Sequence, residues 1–331
     1  MPIGLFALLV VAWCVGWFAI REVSRNGLDE WIAQEASAGR RWSCADRRFG
    51  GFPFRIEIGC SEFTLDRPDV HASIGPLLVV SQIYNPRHII AEAHGPLRIE
   101  ASDAQVEGRW RLLQASVVIG GPAFERISIV TESPVATIRD SSGTPPLELV
   151  SRRFEAHLRP EPEAPTTYDL AIRNDGAVVP WLDLLIGGTE PSDIALSLDI
   201  TRIGDMQARP LAEEVDRWRL AGGRLELSSL TIAKGNRKLS AGGMVWLDES
   251  RRPEGQIDLA AANLGGLLGR VAGGSTVAGT ILGAILGVPD QATSSRPADA
   301  SLKPLPPLRL QAGRLLIGPV AIPGIRIPAL Y

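Results

Sequence analysis

The sequence has little of the side-chain chemistry that metal and cofactor sites require. It contains three cysteines and four histidines in 331 residues. So few cysteines exclude a disulfide-dense scaffold and a four-cysteine zinc site built by this chain alone. The histidines show no short metal-binding spacing, and no phosphate-binding or nucleophile motif occurs. We therefore predict no catalytic residue, no cofactor and no metal site.

The positive and negative charges nearly balance, so the net charge indicates no class of partner. Lys and Arg number 34 against 37 Asp and Glu, and the formal net charge is −3. Without a long basic run, nucleic acid is excluded as a partner. By contrast, 34 glycines and 25 prolines exceed the usual share of about 12% for these two residues. This excess argues against a helical bundle and favours an apolar, mostly β protein.

The N-terminus carries the longest uncharged apolar run. Residues 3–20, IGLFALLVVAWCVGWFAI, approach the length of about 20 residues that spans a membrane. Trp13, Trp17 and Phe18 lie near its end, where interfacial aromatics are expected. A cleaved signal peptide is the alternative, but residues 21–24 supply no small-residue cleavage site. We predict an uncleaved membrane anchor and helical stem over residues 1–39.

The orientation of this anchor has two opposing indications. Arg21 and Arg25 follow the run and no basic residue precedes it, which by the positive-inside rule places the body in the cytoplasm. Cys44 and Cys60, however, are placed to form a disulfide in an oxidising compartment. The alternative is a pair of buried free thiols. We expect the disulfide, and a body outside the cytoplasm.

From residue 40 onward, short alternating runs are broken by turn residues about every 8–12 positions. This pattern predicts a mainly β fold of curled antiparallel sheets, groove-like or sandwich-like. Covering helices are expected over residues 179–186, 210–220 and 263–287. The body is then 40–331, with a sub-boundary near 141–165 and a mobile proline-rich linker at 291–307.

A curled sheet that does not close leaves an apolar concave face, which suits lipids or hydrophobic partners. The alternative is that the same side chains fill a sandwich core. The residues predicted to line such a groove are Val79, Ile83, Ile89, Ile99, Leu225, Leu227, Ile232 and Val245.

A second uncharged run, Val271–Pro289, contains glycines four residues apart at 279, 283 and 287. Such spacing permits close helix packing. The run is either a second membrane span or a helix lying against the sheet, and we expect the latter.

One motif follows the anchor closely: Trp42-Ser-Cys44, then Gly51, Phe52, Pro53, Phe54 and Arg55, then Cys60. This arrangement, together with the C-terminal segment 308–331, resembles the DUF2125 family of alphaproteobacterial envelope proteins. Residues 223–263 are more weakly similar to AsmA-like proteins. That second resemblance implies long curled sheets anchored in the inner membrane, with an apolar groove linked to lipid transport.

Together these observations predict a single-pass protein of the bacterial inner membrane with its body in the periplasm. Its expected partners are the membrane itself through residues 3–20, lipid in the β-groove, and envelope proteins. Lipid binding or transfer in envelope maintenance is the favoured function. A scaffold that binds protein partners is the first alternative, and a hydrolase with an unrecognised site is the second.

Overall fold

A computed structural model describes residues 2–120, 123–141, 143–203, 211–263 and 301–331. Within these ranges the chain forms three helices and 22 strands. It divides into two compact units, Met1–Phe154 and Glu155–Tyr331. All strand pairs with a recorded register are antiparallel, and the predicted mainly β fold is confirmed.

Helix α1, Pro2–Ser37, contains both the apolar run and the predicted stem. It is long and apolar enough to cross a membrane. Its end is set by Gly39, whose φ of 79° is a left-handed conformation that glycine adopts without steric cost. The helix therefore ends where the sequence predicted.

The first unit continues with two antiparallel sheets. One has the order β1-β4-β5-β8-β9-β12-β13, and the other begins β2-β3-β6-β7-β10-β11. The strands are β1 (Arg41–Ala45), β2 (Arg48–Gly50), β3 (Arg55–Cys60), β4 (Glu62–Asp66), β5 (Val70–Ile74), β6 (Leu77–Gln82), β7 (Asn85–Ala93), β8 (Leu97–Ala101), β9 (Ala104–Arg109), β10 (Leu112–Gly120), β11 (Ala123–Glu132), β12 (Val135–Asp140) and β13 (Leu147–Val150).

Hairpins of this unit alternate between the two sheets, and short bends connect one hairpin to the next. β3 continues into β4 after Ser61 alone, and Pro76, Pro96 and Pro134 lie at later bends. Proline lacks the N–H that a sheet ladder needs, so it interrupts pairing where the strand changes sheet. Neighbouring bends are hydrogen-bonded, since the His94 N–H donates to the Pro76 carbonyl at 2.8 Å.

The second unit is a meander in which β14 to β22 are neighbours in chain order. The strands are β14 (Arg153–Glu161), β15 (Ala164–Ala177), β16 (Ser192–Ile200), β17 (Leu225–Lys234), β18 (Arg237–Leu247), β19 (Pro253–Ala262), β20 (Lys303–Gln311), β21 (Arg314–Ile317) and β22 (Val320–Arg326). Residues 303–307 thus begin β20 rather than belonging to the predicted linker. They tolerate three prolines because β21 pairs only with residues 308–311.

Residues directly opposite each other across neighbouring strands share one face of a sheet. In the second unit this rule places an almost wholly apolar set on one face. From β16 to β19 its four rows are Ile200–Leu225–Val245–Gly255, Leu198–Leu227–Gly243–Ile257, Leu196–Leu230–Ala241–Leu259 and Ile194–Ile232–Leu239–Ala261. Most of these side chains are only half-buried.

Two short helices accompany this sheet, α2 (Pro180–Ile186) and α3 (Leu211–Leu220), and both confirm predicted helices. Leu182 and Ile186 of α2 are buried against Ile232 in the core. Pro180 occupies the first turn, where its missing N–H costs nothing. The third predicted helix, beyond Asn263, and the run Val271–Pro289 lie outside the described residues.

An ion pair fastens α2 to the sheet. The Lys234 ammonium, 1% exposed, bonds to the Asp183 carboxylate of α2. A buried cation that loses its only anionic neighbour carries an uncompensated desolvation cost. The pair therefore fixes α2 over one end of the apolar face.

We expect Asp183→Asn to lower the free energy of unfolding by about 3 kcal/mol, because Lys234 would remain buried without its carboxylate. Urea denaturation of the detergent-solubilised full chain measures this. Glu190→Gln is the matched control, since it breaks the exposed Arg237–Glu190 pair of 3.7 Å, which is worth about 0.5 kcal/mol. Equal losses from both variants would contradict the assignment.

Candidate functional site

The predicted disulfide between Cys44 and Cys60 is confirmed, and their Cα atoms are 5.2 Å apart. Cys44 lies in β1 of one sheet and Cys60 in β3 of the other. The bond therefore ties the two sheets of the first unit together near their first bend. A loop of this size contributes about 3 kcal/mol by the loop-entropy estimate.

The disulfide also joins the two faces that carry predicted groove residues. Val79 and Ile89 lie on the face of Cys60, because β6 and β7 pair with their register at Val79–Ala91 and Leu77–Ala93. Ile99 lies on the face of Cys44 in the other sheet. Ile83 is in the β6–β7 turn. That these four line a lipid groove stays a prediction.

The motif that carries the family resemblance, Gly51–Arg55, forms the turn between β2 and β3. Gly51 has a φ of 95°, and a Cβ there would lie 2.5 Å from the Arg55 carbonyl oxygen. Only glycine fits this turn. Phe52 and Phe54 are 53% and 60% exposed, so the turn presents two aromatic rings rather than burying them.

This turn packs against the apolar half of α1. The indole N–H of Trp13 donates to the Pro53 carbonyl at 2.9 Å, and that of Trp17 donates to the Arg55 carbonyl at 2.9 Å. The ring of Phe52 meets Trp17 edge to face, with centroids 5.3 Å apart. The sequence marked both tryptophans as interfacial aromatics, but their partners are 38 to 40 residues away and no local pattern indicates them.

The end of α1 is held to β1 by a second contact. The Arg40 guanidinium bonds to the Glu35 carboxylate at 2.5 and 2.7 Å, and the Trp42 indole donates to it at 3.1 Å. The Arg40 hydrogen bond, followed by that of Trp42, lowers the pKa of Glu35 to about 2. Trp31 packs on Trp42 with centroids 5.7 Å apart.

The second unit contains an apolar cavity of about 650 Å³. Leu225 and Val245, two of the predicted groove residues, line it, and they face each other across β17 and β18. The remaining lining residues are Ile200, Arg202, Ile203, Glu214, Val215, Arg217, Trp218, Leu220, Ala221, Trp246, Leu247, Pro253 and Leu330. Volume and lining both fall in the range of small-molecule sites.

The other two predicted residues of this unit lie on the same face but outside the cavity lining. Leu227 stands one row further along, opposite Gly243. Ile232 is buried under α2 in the core with Leu182. The structure thus places all four on one apolar face and two of them in one cavity. The contributions of α3 and Leu330 to the lining were not predicted, because they come from elements distant in sequence.

The last residue, Tyr331, is hydrogen-bonded to α3 and holds this helix beside the cavity. The Tyr331 hydroxyl donates to the Asp216 carboxylate at 3.0 Å, and Arg219 bonds to the same oxygen at 3.0 Å. The Arg251 guanidinium lies 4.9 Å from the Tyr331 ring centre. The hydrogen bonds from Arg219 and Tyr331 lower the pKa of Asp216, and burial, then Asp216, raises that of Tyr331.

These features define a class of protein: one long apolar helix, then antiparallel sheets whose apolar face borders a ligand-sized cavity. The chain belongs to the DUF2125 family, described as an uncharacterized protein conserved in bacteria, and the match covers residues 17–325. No curated protein and no solved structure matches it.

In the folded protein we expect the Glu35 carboxyl to titrate near pH 2, and to move toward its usual 4.5 in Arg40→Gln. Since the folded pKa is the lower one, the contact stabilises the protein above pH 4.5 and its contribution is lost as pH falls through about 2. NMR titration of the carboxyl carbon measures both values. An unchanged Glu35 pKa in the variant would contradict the pairing.

Tyr331→Phe removes one hydrogen bond to Asp216 and keeps the ring under Arg251. We expect amide hydrogen exchange in α3, Leu211–Leu220, to become several-fold faster, while exchange in α2 stays unchanged. Mass-resolved hydrogen exchange of both helices measures this. Tyr84→Phe, at an exposed tyrosine of the first unit, is the control. Unaltered exchange in α3 would show that the hydroxyl does not hold the helix.

Proposed function

We propose that this protein is a single-pass protein of the bacterial inner membrane whose periplasmic body binds lipid in the apolar cavity of its second unit. In this proposal α1 is the anchor and the ligand is an amphiphile with an acyl chain. Transfer or holding of that lipid in envelope maintenance is the expected cellular role. An AsmA-like mode of action is part of the same proposal.

The cavity carries the proposal. Its walls are aliphatic and aromatic side chains from four strands, α3 and the C-terminus. Burying an acyl chain there removes apolar surface from water on both partners, at about 25 cal/mol per Å². The cavity also borders the half-buried apolar rows of the sheet, and a chain longer than the cavity would meet further apolar side chains there.

Two arginines and one glutamate border the apolar lining, and the one positive charge in excess favours an anionic head group. Arg202 and Arg217 belong to the residues around the cavity, and Arg217 pairs with Glu214 at 2.9 Å. A guanidinium presents several donors in a planar fork that matches phosphate or carboxylate oxygens. We therefore expect a lipid with a phosphate-bearing head group rather than a neutral hydrocarbon.

The disulfide supports a location outside the cytoplasm. Structural disulfides persist in the bacterial periplasm and are rare in reducing compartments. The Cys44–Cys60 bond therefore outweighs the basic residues Arg21 and Arg25, which favour the opposite orientation. The apolar length of α1 supports retention at the membrane.

We expect the full chain, extracted in detergent and examined by native mass spectrometry with lipid extraction, to carry phospholipid or lipid A. Leu225→Asp should reduce the bound lipid about tenfold, since it loses the burial of one leucine side chain and places a charge in the wall. Ser229→Asp, on the same strand but outside the apolar rows, is the control and should retain the lipid.

A second variant shows whether lipid is lost without loss of the fold. Leu330→Asp changes an exposed residue at the cavity mouth, and it should also lose lipid while circular dichroism stays unchanged. A folded wild-type chain without lipid, or equal retention in all variants, would overturn the proposal. That result would favour the alternative of an envelope scaffold that binds protein partners.

A further inference from the structure

We propose that the turn Gly51–Phe54 between β2 and β3 is a second membrane-contacting element, inserted in the bilayer beside α1. Its ligand is the lipid bilayer itself, and Phe52 and Phe54 lie among the acyl chains. This inference rests on the proposed anchoring by α1 and concerns a site in the first unit, separate from the cavity.

The depth follows from where the turn meets the helix. Arg21 is the first charged residue after the apolar run and marks the level of the head groups. At a rise of 1.5 Å per residue, Trp17 lies about 6 Å and Trp13 about 12 Å deeper. The hydrocarbon half-thickness is about 15 Å. Because both tryptophans bond to the turn, the turn reaches the same depth.

Several polar backbone groups of the turn have partners within the protein, which suits this medium. Non-helical backbone at membrane depth is tolerated only where its polar groups find protein partners. The carbonyls of Pro53 and Arg55 accept the two indole N–H groups of α1, and the Gly51 carbonyl accepts the Arg55 N–H at 3.0 Å. Pro53 has no N–H to satisfy.

The outward side of the turn is apolar and aromatic. The exposed rings of Phe52 and Phe54 continue the lipid-facing surface of α1, on which Val10, Val11 and Phe18 are also exposed. The adjacent turn adds Tyr84, 68% exposed, and is held beside Phe54 by the bond from the Ile83 N–H to its carbonyl at 3.0 Å. Aromatic side chains of this kind concentrate at the membrane interface.

The exposed rings continue the apolar surface of α1, and this favours a bilayer over a protein partner. The exposed rings stand next to a helix surface that a membrane would surround, so lipid chains are the nearest apolar medium. Arg55 follows the turn and Arg87 follows Tyr84, both exposed. The Arg55 guanidinium pairs with Glu57 at 2.6 Å, whereas the long side chain of Arg87 can reach lipid phosphates while the rings stay in the acyl region.

The test measures depth in vesicles of phosphatidylcholine and phosphatidylglycerol that contain the full chain. An environment-sensitive fluorophore is attached at Phe54→Cys or at Tyr84→Cys, both in a Cys14→Ser background, and lipids carrying nitroxides in the acyl chains act as quenchers. Asp69→Cys in the same Cys14→Ser background, in the turn between β4 and β5 of the other sheet, is the matched control. Native Cys14 in α1 reports the anchor.

We expect loss of fluorescence at positions 14, 54 and 84, and none at 69. Tyr84→Cys leaves the Gly51–Phe54 turn unaltered, so its signal does not depend on tolerance of a change at Phe54. Quenching at 14 without quenching at 54 and 84 would overturn this inference and leave the anchor intact. No quenching at 14 would overturn the anchoring on which it rests. Protection of position 54 from both nitroxide lipid and aqueous iodide would indicate a protein partner and also overturn it.

Discussion

An antiparallel sheet with one apolar face has to bring that face out of water, and the described residues of the second unit do so incompletely. The register from β16 to β19 stacks four apolar rows, and α2 packs on the row at Ile232 and on Leu230 of the next row. At the other end α3 leaves a cavity over Leu225 and Val245. Exposed apolar surface costs about 25 cal/mol per Å². The short helices therefore shield part of the apolar face from water, and the cavity lies where α3 shields it only in part.

In the first unit, a disulfide and two indole hydrogen bonds hold separate elements together. The disulfide joins the faces of the two sheets, and Trp13 and Trp17 attach the first turn to α1. Neither contact is local in sequence. The indole contacts leave the exposed rings of Phe52 and Phe54 next to α1. The sheets of the first unit are thereby fixed to α1 at two levels, the turn and the Glu35–Arg40 junction.

Much of this fold could be predicted because its signals are local. Apolar alternation marked the strands, the uncharged run marked α1, and the two cysteines marked the disulfide. The strand bends and the partners of Trp13 and Trp17 could not be predicted, since they depend on pairing over long sequence distances. Prolines at 304, 306 and 307 suggested a linker, whereas one-sided pairing admits them to β20. Alternation assigned Leu225 and Ile232 to one face. The packing of α3 and α2 on that face decides that Leu225 lines the cavity and that Ile232 lies in the core.

The polar contacts in both units follow one pattern, which bears on how a ligand would act. Asp183–Lys234, Asp216–Tyr331 and Glu35–Arg40 each hold one helix to a sheet or to the C-terminal segment, and none lies within the apolar rows. The helices are thus held by polar contacts outside the apolar rows, and most side chains of those rows stay half-buried among the described residues. A lipid that binds only the folded chain stabilises it by RT ln(1 + [L]/Kd), which is about 2.7 kcal/mol at a hundredfold excess over Kd. Under the proposed function, the incompletely covered face makes the stability of the body depend on the lipid it carries.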